Sequence, residues 1–288
     1  MAMVDVLVIL YQILFSMSFF ILISLGLAII FGMMGVINLA QGEFIMLGAY
    51  ACLWLTKFHI NFWVSALMSG LIVGLFGIII ERALIRHLYG RIMDTLLATW
   101  GLSLLMVGLV TTIFGPQEAG VDVQLGKIEF GDFSISIYNL VLIGISAALL
   151  ILTYLLWRHT RFGLIVRGTM QNPGMASALG INTDKYYMLT FGFGSAITGL
   201  GGALIAPLVG TQPTMGGFYV AKAFVTVISG GAAPLTGTLY ASTIFGVTDG
   251  VISYATTQVL GEISVLLVAI VLLRLLPSGI TGRFNGGI

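Results

Sequence analysis

Apolar runs about as long as a bilayer is thick recur from one end of this sequence to the other, and that leaves few folds open. A helix needs roughly 20 apolar residues to cross the hydrocarbon core. Runs of that order occupy 7–31, 36–56, 62–81, 93–114, 136–157, 186–210 and 262–276. Region 218–258 is also apolar but is interrupted by Gly230, Gly231 and Pro234, and reads as two shorter membrane segments meeting at that break. A membrane β-barrel would show short alternating segments instead. The expected fold is an all-α polytopic membrane protein with about 8–9 transmembrane segments, some broken or re-entrant. Charged residues are 8% of the 288, against roughly 25% in soluble domains, so a mostly water-facing chain is excluded. The first run lacks a basic start and continues past Ile30, which reads as a span rather than a cleaved signal. No linker or low-complexity tract divides residues 1–288, so a single membrane domain is expected.

The cations set the expected orientation. Nine of the twelve Lys and Arg fall in three places: Arg82, Arg86 and Arg91; Arg158, Arg161, Arg167 and Lys185; and Arg274 with Arg283. The positive-inside rule places loops 82–92 and 158–185 and the C-terminus in the cytoplasm. Loop 115–135 carries Glu118, Asp122, Glu129 and Asp132 against Lys127 and belongs outside. The spans alternate if 57–61 and 211–217 are external too, which puts the N-terminus outside. Within the external loop, Val121, Val123 and Leu125, then Ile128 and Phe130, alternate as a small hairpin would.

Several chemistries lack their residues. There is no G-x-x-x-x-G-K-[ST] phosphate loop, so no ATPase site of the usual kind is expected in this chain. No H-E-x-x-H pair occurs, and His59, His87 and His159 fall at span ends or in loops. A zinc or serine-protease site is therefore not expected, and Gly194-Ser195 reads as close packing. Cys52 is the single cysteine, too few for a disulfide or a metal set. A net charge of +1 offers no basic field for nucleic acid. The chain reads as a non-enzyme with no cofactor of its own.

Chemistry concentrates where the apolar pattern fails. In 32–50, GMMGVINLAQGEFIMLGAY, four glycines flank Asn38, Gln41 and Glu43. Charge at membrane depth is costly and marks a pairing or a path, so this stretch reads as a broken helix lining a transport route. The segment AKAFVTVISGGAAPLTGT is the second such place, because non-helical backbone at that depth must be buried or line a cavity. Small residues at helical spacing (Gly70, Gly74, Gly77; Gly194, Thr198, Gly202) suit close helix packing. Lys222, Asp249 and Glu262 lie near or within spans, either snorkelling to the interface or acting directly. Loop 158–185 reads as one or two short helices around Asn172-Pro173-Gly174, ending at Gly180, with Met170 and Met175 exposed. That composition fits a docking element and a plain connector equally.

Taken together, GLAIIFGMMGVINLAQGEFIMLGAY at 26–50 resembles the hallmark block of the branched-chain amino acid ABC transporter permeases, the LivH/LivM type. ERALIRHLYGR at 81–91, RFGLIVRGTMQNPGMASALGIN at 161–182, TFGFGSAITGLGGAL at 190–204 and AFVTVISGGAAPLTGT at 223–238 continue the likeness in order. DTLLATWGLSL at 94–104 is more similar to the urea and short-chain amide branch. The resemblance implies a permease subunit of the bacterial inner membrane. It would pair with a second homologous permease, rest on two cytoplasmic ATP-binding cassette subunits and receive solute from a periplasmic binding protein. ATP would be bound by those partners. It also implies that 161–182 is the coupling loop, with Arg167, Asn172, Met175, Ala176 and Gly180 as its contact residues. Gly168 and Pro173-Gly174 stand where relatives have helix formers.

By the same likeness, Asn38, Gln41 and Glu43 lie near the substrate path. A neutral solute such as urea would find donors and acceptors in Asn38, Gln41, Thr99 and Ser103, and a branched-chain amino acid would also want a charge or helix end for each terminus. Two other readings are a passive channel for urea or a similar neutral solute, and a proton-coupled carrier using Glu43 and Asp249. The internal loop argues against the channel.

Overall fold

The computed structural model describes residues 2–123, 125–130 and 133–282. Asp132 and Arg283, two of the charges counted above, lie outside these. The long helices are α1 (Ala2–Met34), α2 (Gln41–Lys57), α3 (Phe62–Ala83), α4 (Ile92–Phe114) and α5 (Ile137–His159). Two short helices follow, α6 (Arg161–Gln171) and α7 (Pro173–Ala178), then α8 (Thr183–Val209), α9 (Met215–Gly230), α10 (Pro234–Ala255), α11 (Gln258–Leu275) and the single turn α12 (Gly279–Gly282). Six helices are long and apolar enough to cross a membrane alone, and α9 with α10, bent by 112° across 231–233, makes a seventh span if counted as one. The remaining short segment, α2, has 17 residues.

Contacts fix the directions. Gly26 and Gly201 meet α8 and α1 so that α8 runs against α1, and Gly32 lies on Pro234 while Gly250 lies on Ile13, so α10 does too. Tyr11 bonds Asn139 at one end and Met33 bonds Trp157 at the other, so α5 runs with α1. Residues 57–61, 115–123, 133–136 and 211–214 therefore gather at the end that holds the N-terminus. Residues 84–91, 160–182 and 231–233 gather at the opposite end.

Hydrophobicity does not hold helices together in lipid, since the tails are as apolar as leucine; close packing and hydrogen bonds do. The small-residue rows do this work on α8. A Cβ on Gly74 would stand 2.9 Å from the Ala196 Cβ, and one on Gly48 or Gly202 would overlap the backbone of Gly199 or Ile45. The result is a central group of α1, α2, α3, α8, α9 and α10, with 72% of the most apolar window of α1 buried and 67% of that of α8. For α4 the share is 17%, so most of its surface is left for lipid or another subunit.

At the N-terminal end, β1 (Lys127–Phe130) and β2 (Phe133–Ser136) form the expected antiparallel pair, Ile128 opposite Ile135. Of the alternating run, the described residues 121–123 and 125 form no strand with them. Instead Ala119 exchanges backbone hydrogen bonds with Thr211, of 2.9 and 2.8 Å, which ties the loop to the α8–α9 connection.

At the other end Pro173 opens α7 at a position where no N–H is needed, and Asn172 Oδ1 accepts from Met175 N at 3.0 Å. The residues that looked like helix breakers thus start a helix. Gly180, at φ +81°, stops it.

Candidate functional site

After Met34 the α1 helix ends, and residues 35–40 return into the bundle without regular structure before Gln41 opens α2. Backbone stripped of helical bonds at this depth must find other partners. Asn38 Oδ1 accepts from Ala40 N at 3.1 Å, and the Leu39 N–H donates to Thr99 Oγ1 at 3.1 Å. From Asn38 a relay of donors runs inward. Its Nδ2 donates to Gln41 Oε1 at 3.4 Å, Gln41 Nε2 to Thr198 Oγ1 at 2.5 Å, and the Thr198 hydroxyl to the Gly194 carbonyl at 2.9 Å. Gly26 makes this possible, because its Cβ would fall on Thr198 Oγ1. All three side chains are fully buried.

Glu43 lies in the first turn of α2, where a carboxylate suits the helix dipole. The Ser103 hydroxyl donates to its Oε1 at 2.9 Å. Its Oε2 is buried and has no hydrogen-bond partner among the described residues. Gly216 lies against it, since a Cβ there would stand 2.6 Å from Oε2. The structure therefore brings Asn38, Gln41, Glu43, Thr99 and Ser103 into one constellation, and adds Thr198, which the sequence showed only as a member of a small-residue row. The signal for α4 was legible: Thr95, Thr99 and Ser103 recur every fourth residue and share one face.

At the opposite end, α6 turns Gly163, Val166 and Thr169 inward. Val166 joins an apolar cluster of Leu25, Ile29, Trp157, Ile197 and Leu235, and the loop helix rests on α1, α5 and α8. Arg167, Asn172, Met175 and Gly180 are at the surface, and Ala176 is turned inward, 4% exposed. Leu164 and Leu179 stand out beside Met175 as large exposed apolar side chains.

A further cluster was not foreseen. Glu81, fully buried near the end of α3, accepts from the Tyr89 hydroxyl at 2.8 Å, and Arg86 lies 3.9 Å from both Glu81 and Asp184. Burial and the Glu81 hydrogen bond hold the Tyr89 phenol well above its ordinary pKa, so it stays a donor. This cluster ties α3 to the first turn of α8, next to the loop helices.

A bundle interrupted at a buried polar relay, with an amphipathic helix pair at one end, defines a membrane permease subunit. The chain belongs to a known family of these. The model of the branched-chain amino acid transport system permease component matches residues 9–276. The high-affinity branched-chain amino acid transport permease LivH of Escherichia coli is 30% identical over 285 residues, covering 92% of each chain. The probable LivH of Methanocaldococcus jannaschii is 27% identical over 278 residues, covering 91% of this chain and 88% of its own. The galactose/methyl galactoside import permease MglC of Haemophilus influenzae is 27% identical over 164 residues, 55% of this chain and 48% of that one. No solved structure is significantly similar.

Proposed function

We propose that this chain is the permease subunit of an ATP-driven importer for branched-chain amino acids. The name of the E. coli relative, aligned over nearly the whole of both chains, favours that solute over urea or short-chain amides. In this reading the cationic end, with residues 84–91 and 160–182, faces the cytoplasm of a bacterial cell. Two ATP-binding subunits sit below it, a second permease stands beside it, and a periplasmic binding protein delivers solute at the hairpin end.

The permease would do no bond chemistry of its own. It would present a polar route whose geometry changes when ATP binding moves the loop helices. The unpartnered Glu43 Oε2 is the observation that carries the route, because a buried acceptor with an open lone pair suits a passing donor. Asn38, Gln41, Thr99 and Ser103 supply the neutral donors and acceptors around it.

Met175, with Leu164 and Leu179, supplies an apolar knob for a groove on the ATPase. Inward-facing Ala176 and the cap of Asn172 hold that knob in place. Met175→Asp in the assembled transporter is expected to abolish leucine uptake while ATP hydrolysis persists without stimulation by the loaded binding protein. Uptake at the parental rate would refute the docking assignment.

A further inference from the structure

A cavity of about 310 Å³ lies away from the Asn38–Glu43 relay, among α1, α8, α9, α10 and α11. It sits toward the end that holds the N-terminus, since Leu208 and Val209 in its wall lead directly to Thr211 and its bond with Ala119. Its size is at the small end of ligand pockets, roughly 300–1,000 Å³, so it suits one small solute.

The wall combines two chemistries that rarely meet at this depth. Phe15, Phe19, Phe20 and Phe245 form an aromatic side. Lys222, Asp249 and Glu262 supply charge of both signs, with Gln258 between. The charges are held rather than loose. Lys222 Nζ is 3.1 Å from Glu262 Oε1, and the Ser16 hydroxyl donates to Asp249 Oδ2 at 2.7 Å. Ser253 lies 3.4 Å from Asp249 Oδ1, and Gly261 leaves room for that oxygen, where a Cβ would stand 2.8 Å away.

Glu262 is half-exposed, as snorkelling would leave it, while Lys222 and Asp249 are more enclosed and face the cavity. A lysine paired with one carboxylate keeps ammonium donors free, and a carboxylate held by hydroxyls keeps acceptor lone pairs free. One cation and two anions leave the cavity net negative, which favours a ligand ammonium, and aromatic faces add to that preference. The same aromatic wall takes an apolar side chain.

We infer that this cavity binds one zwitterionic apolar amino acid, its ammonium on Asp249, its carboxylate on Lys222 and its side chain against the phenylalanines. This rests on the import reading above and adds to it a holding station between the binding-protein face and the Asn38–Glu43 relay. The Lys222–Glu262 pair then serves the solute as well as the fold, because bound carboxylate takes lysine donors that Glu262 does not use.

The test uses the assembled transporter in nanodiscs, with leucine, leucinamide and 4-methylpentanoate as probes. Leucine is expected to bind most tightly, leucinamide next, and the acid, which lacks the ammonium, weakest. Asp249→Asn and Lys222→Gln are each expected to weaken leucine binding about tenfold or more, since each removes a charge-assisted contact. Leucine affinity unchanged in both variants, or acid binding as tight as leucine, overturns the site. Photoactivatable leucine on the unmutated transporter keeps the test independent of folding. Labels on 15–20, 219–225 or 258–266 support the cavity, and labels confined to 38–43 and 95–106 overturn it. If the intact transporter takes up no leucine at all, the import reading fails instead; leucine uptake with no label in the cavity sinks the cavity alone.

Discussion

The chain is interrupted twice between its helices, and the two interruptions are packed differently. At 35–40 the freed backbone is satisfied by side chains, Thr99 from α4 and Asn38 from within the break, with no atom crowding Gly35. At 231–233 the Thr281 side chain takes the freed polar groups, but the chain is also locked backbone against backbone. Gly230 meets Gly237, Gly231 meets Gly279, and the Thr281 hydroxyl donates to the Gly230 carbonyl at 2.7 Å while accepting from Ala233 N at 2.9 Å. Side-chain partners can be exchanged as a helix shifts, whereas interlocked backbone cannot slide without losing its contacts. The helix that serves the first break, α4, is also the most exposed of the long ones. The first break is therefore built to respond to its surroundings, and the second to stay fixed.

The largest effect should follow from attacking the fixed break. Gly231 has φ +85° and ψ −144°, a region open essentially to glycine, and a Cβ there would stand 2.5 Å from the Ser278 carbonyl oxygen. Gly231→Ala combines strain with overpacking and should cost about 2–4 kcal/mol. The readout is the thermal midpoint of the purified transporter. A midpoint within a degree or two of the parent would mean that the break gives way and the contrast is false.

Next in size is the relay of the first break. Thr198→Val keeps the shape but removes the acceptor of Gln41 Nε2, and polar contacts between membrane helices are worth about 0.6–1.7 kcal/mol. Gln41→Leu in the same background should then cost less than it does alone, because its bond to Thr198 is already lost and only acceptance from Asn38 remains. Full additivity of the two changes would show that the relay is not a unit.

Much of this architecture was legible. Run lengths gave the helices and the Gly-Gly-Pro interruption gave the α9–α10 break, while the four-residue spacing of Thr95, Thr99 and Ser103, which marks one face of α4, went unread. What holds the breaks was not legible. Thr281 caps the second break from 48 residues away, and α12, which carries it, is one short turn beyond the last span. Thr198 looked like packing because a threonine in a glycine row does that more often. The Lys222–Glu262 pair joins helices whose meeting no periodicity reports. Helix existence is a local property of sequence, while the partners of a broken backbone are decided by the packed whole.

Gly35 sharpens the comparison from the mild side. It has φ +64°, yet no atom lies within 4 Å of where its Cβ would be. Gly35→Ala therefore meets only the left-handed penalty, about 1–2 kcal/mol. The lower entropy of the unfolded alanine chain returns part of it, about 0.4–1 kcal/mol. The net loss should be about 0.5–1 kcal/mol, well below that of Gly231→Ala. Equal losses at the two glycines would erase the distinction between an open break and an interlocked one.

Stability should change least at Glu43, and for that reason this position separates function from fold. Glu43→Gln preserves the side-chain shape, leaves an oxygen to accept from Ser103 and removes a buried charge, which offsets the unpaired amide donors, so the thermal midpoint should stay close to the parent's. The route proposed here uses the second carboxylate oxygen, which the fold leaves unpartnered. Leucine uptake by the folded variant should then drop about tenfold or more, the scale of a lost charge-assisted contact. Lost folding would make Glu43 an anchor between α2 and α4, and full uptake in a stable variant would remove it from the route. Either result would also reassign the first break. An anchor there would make it as fixed as the second, and the capacity to respond would have to be sought in the loop helices alone.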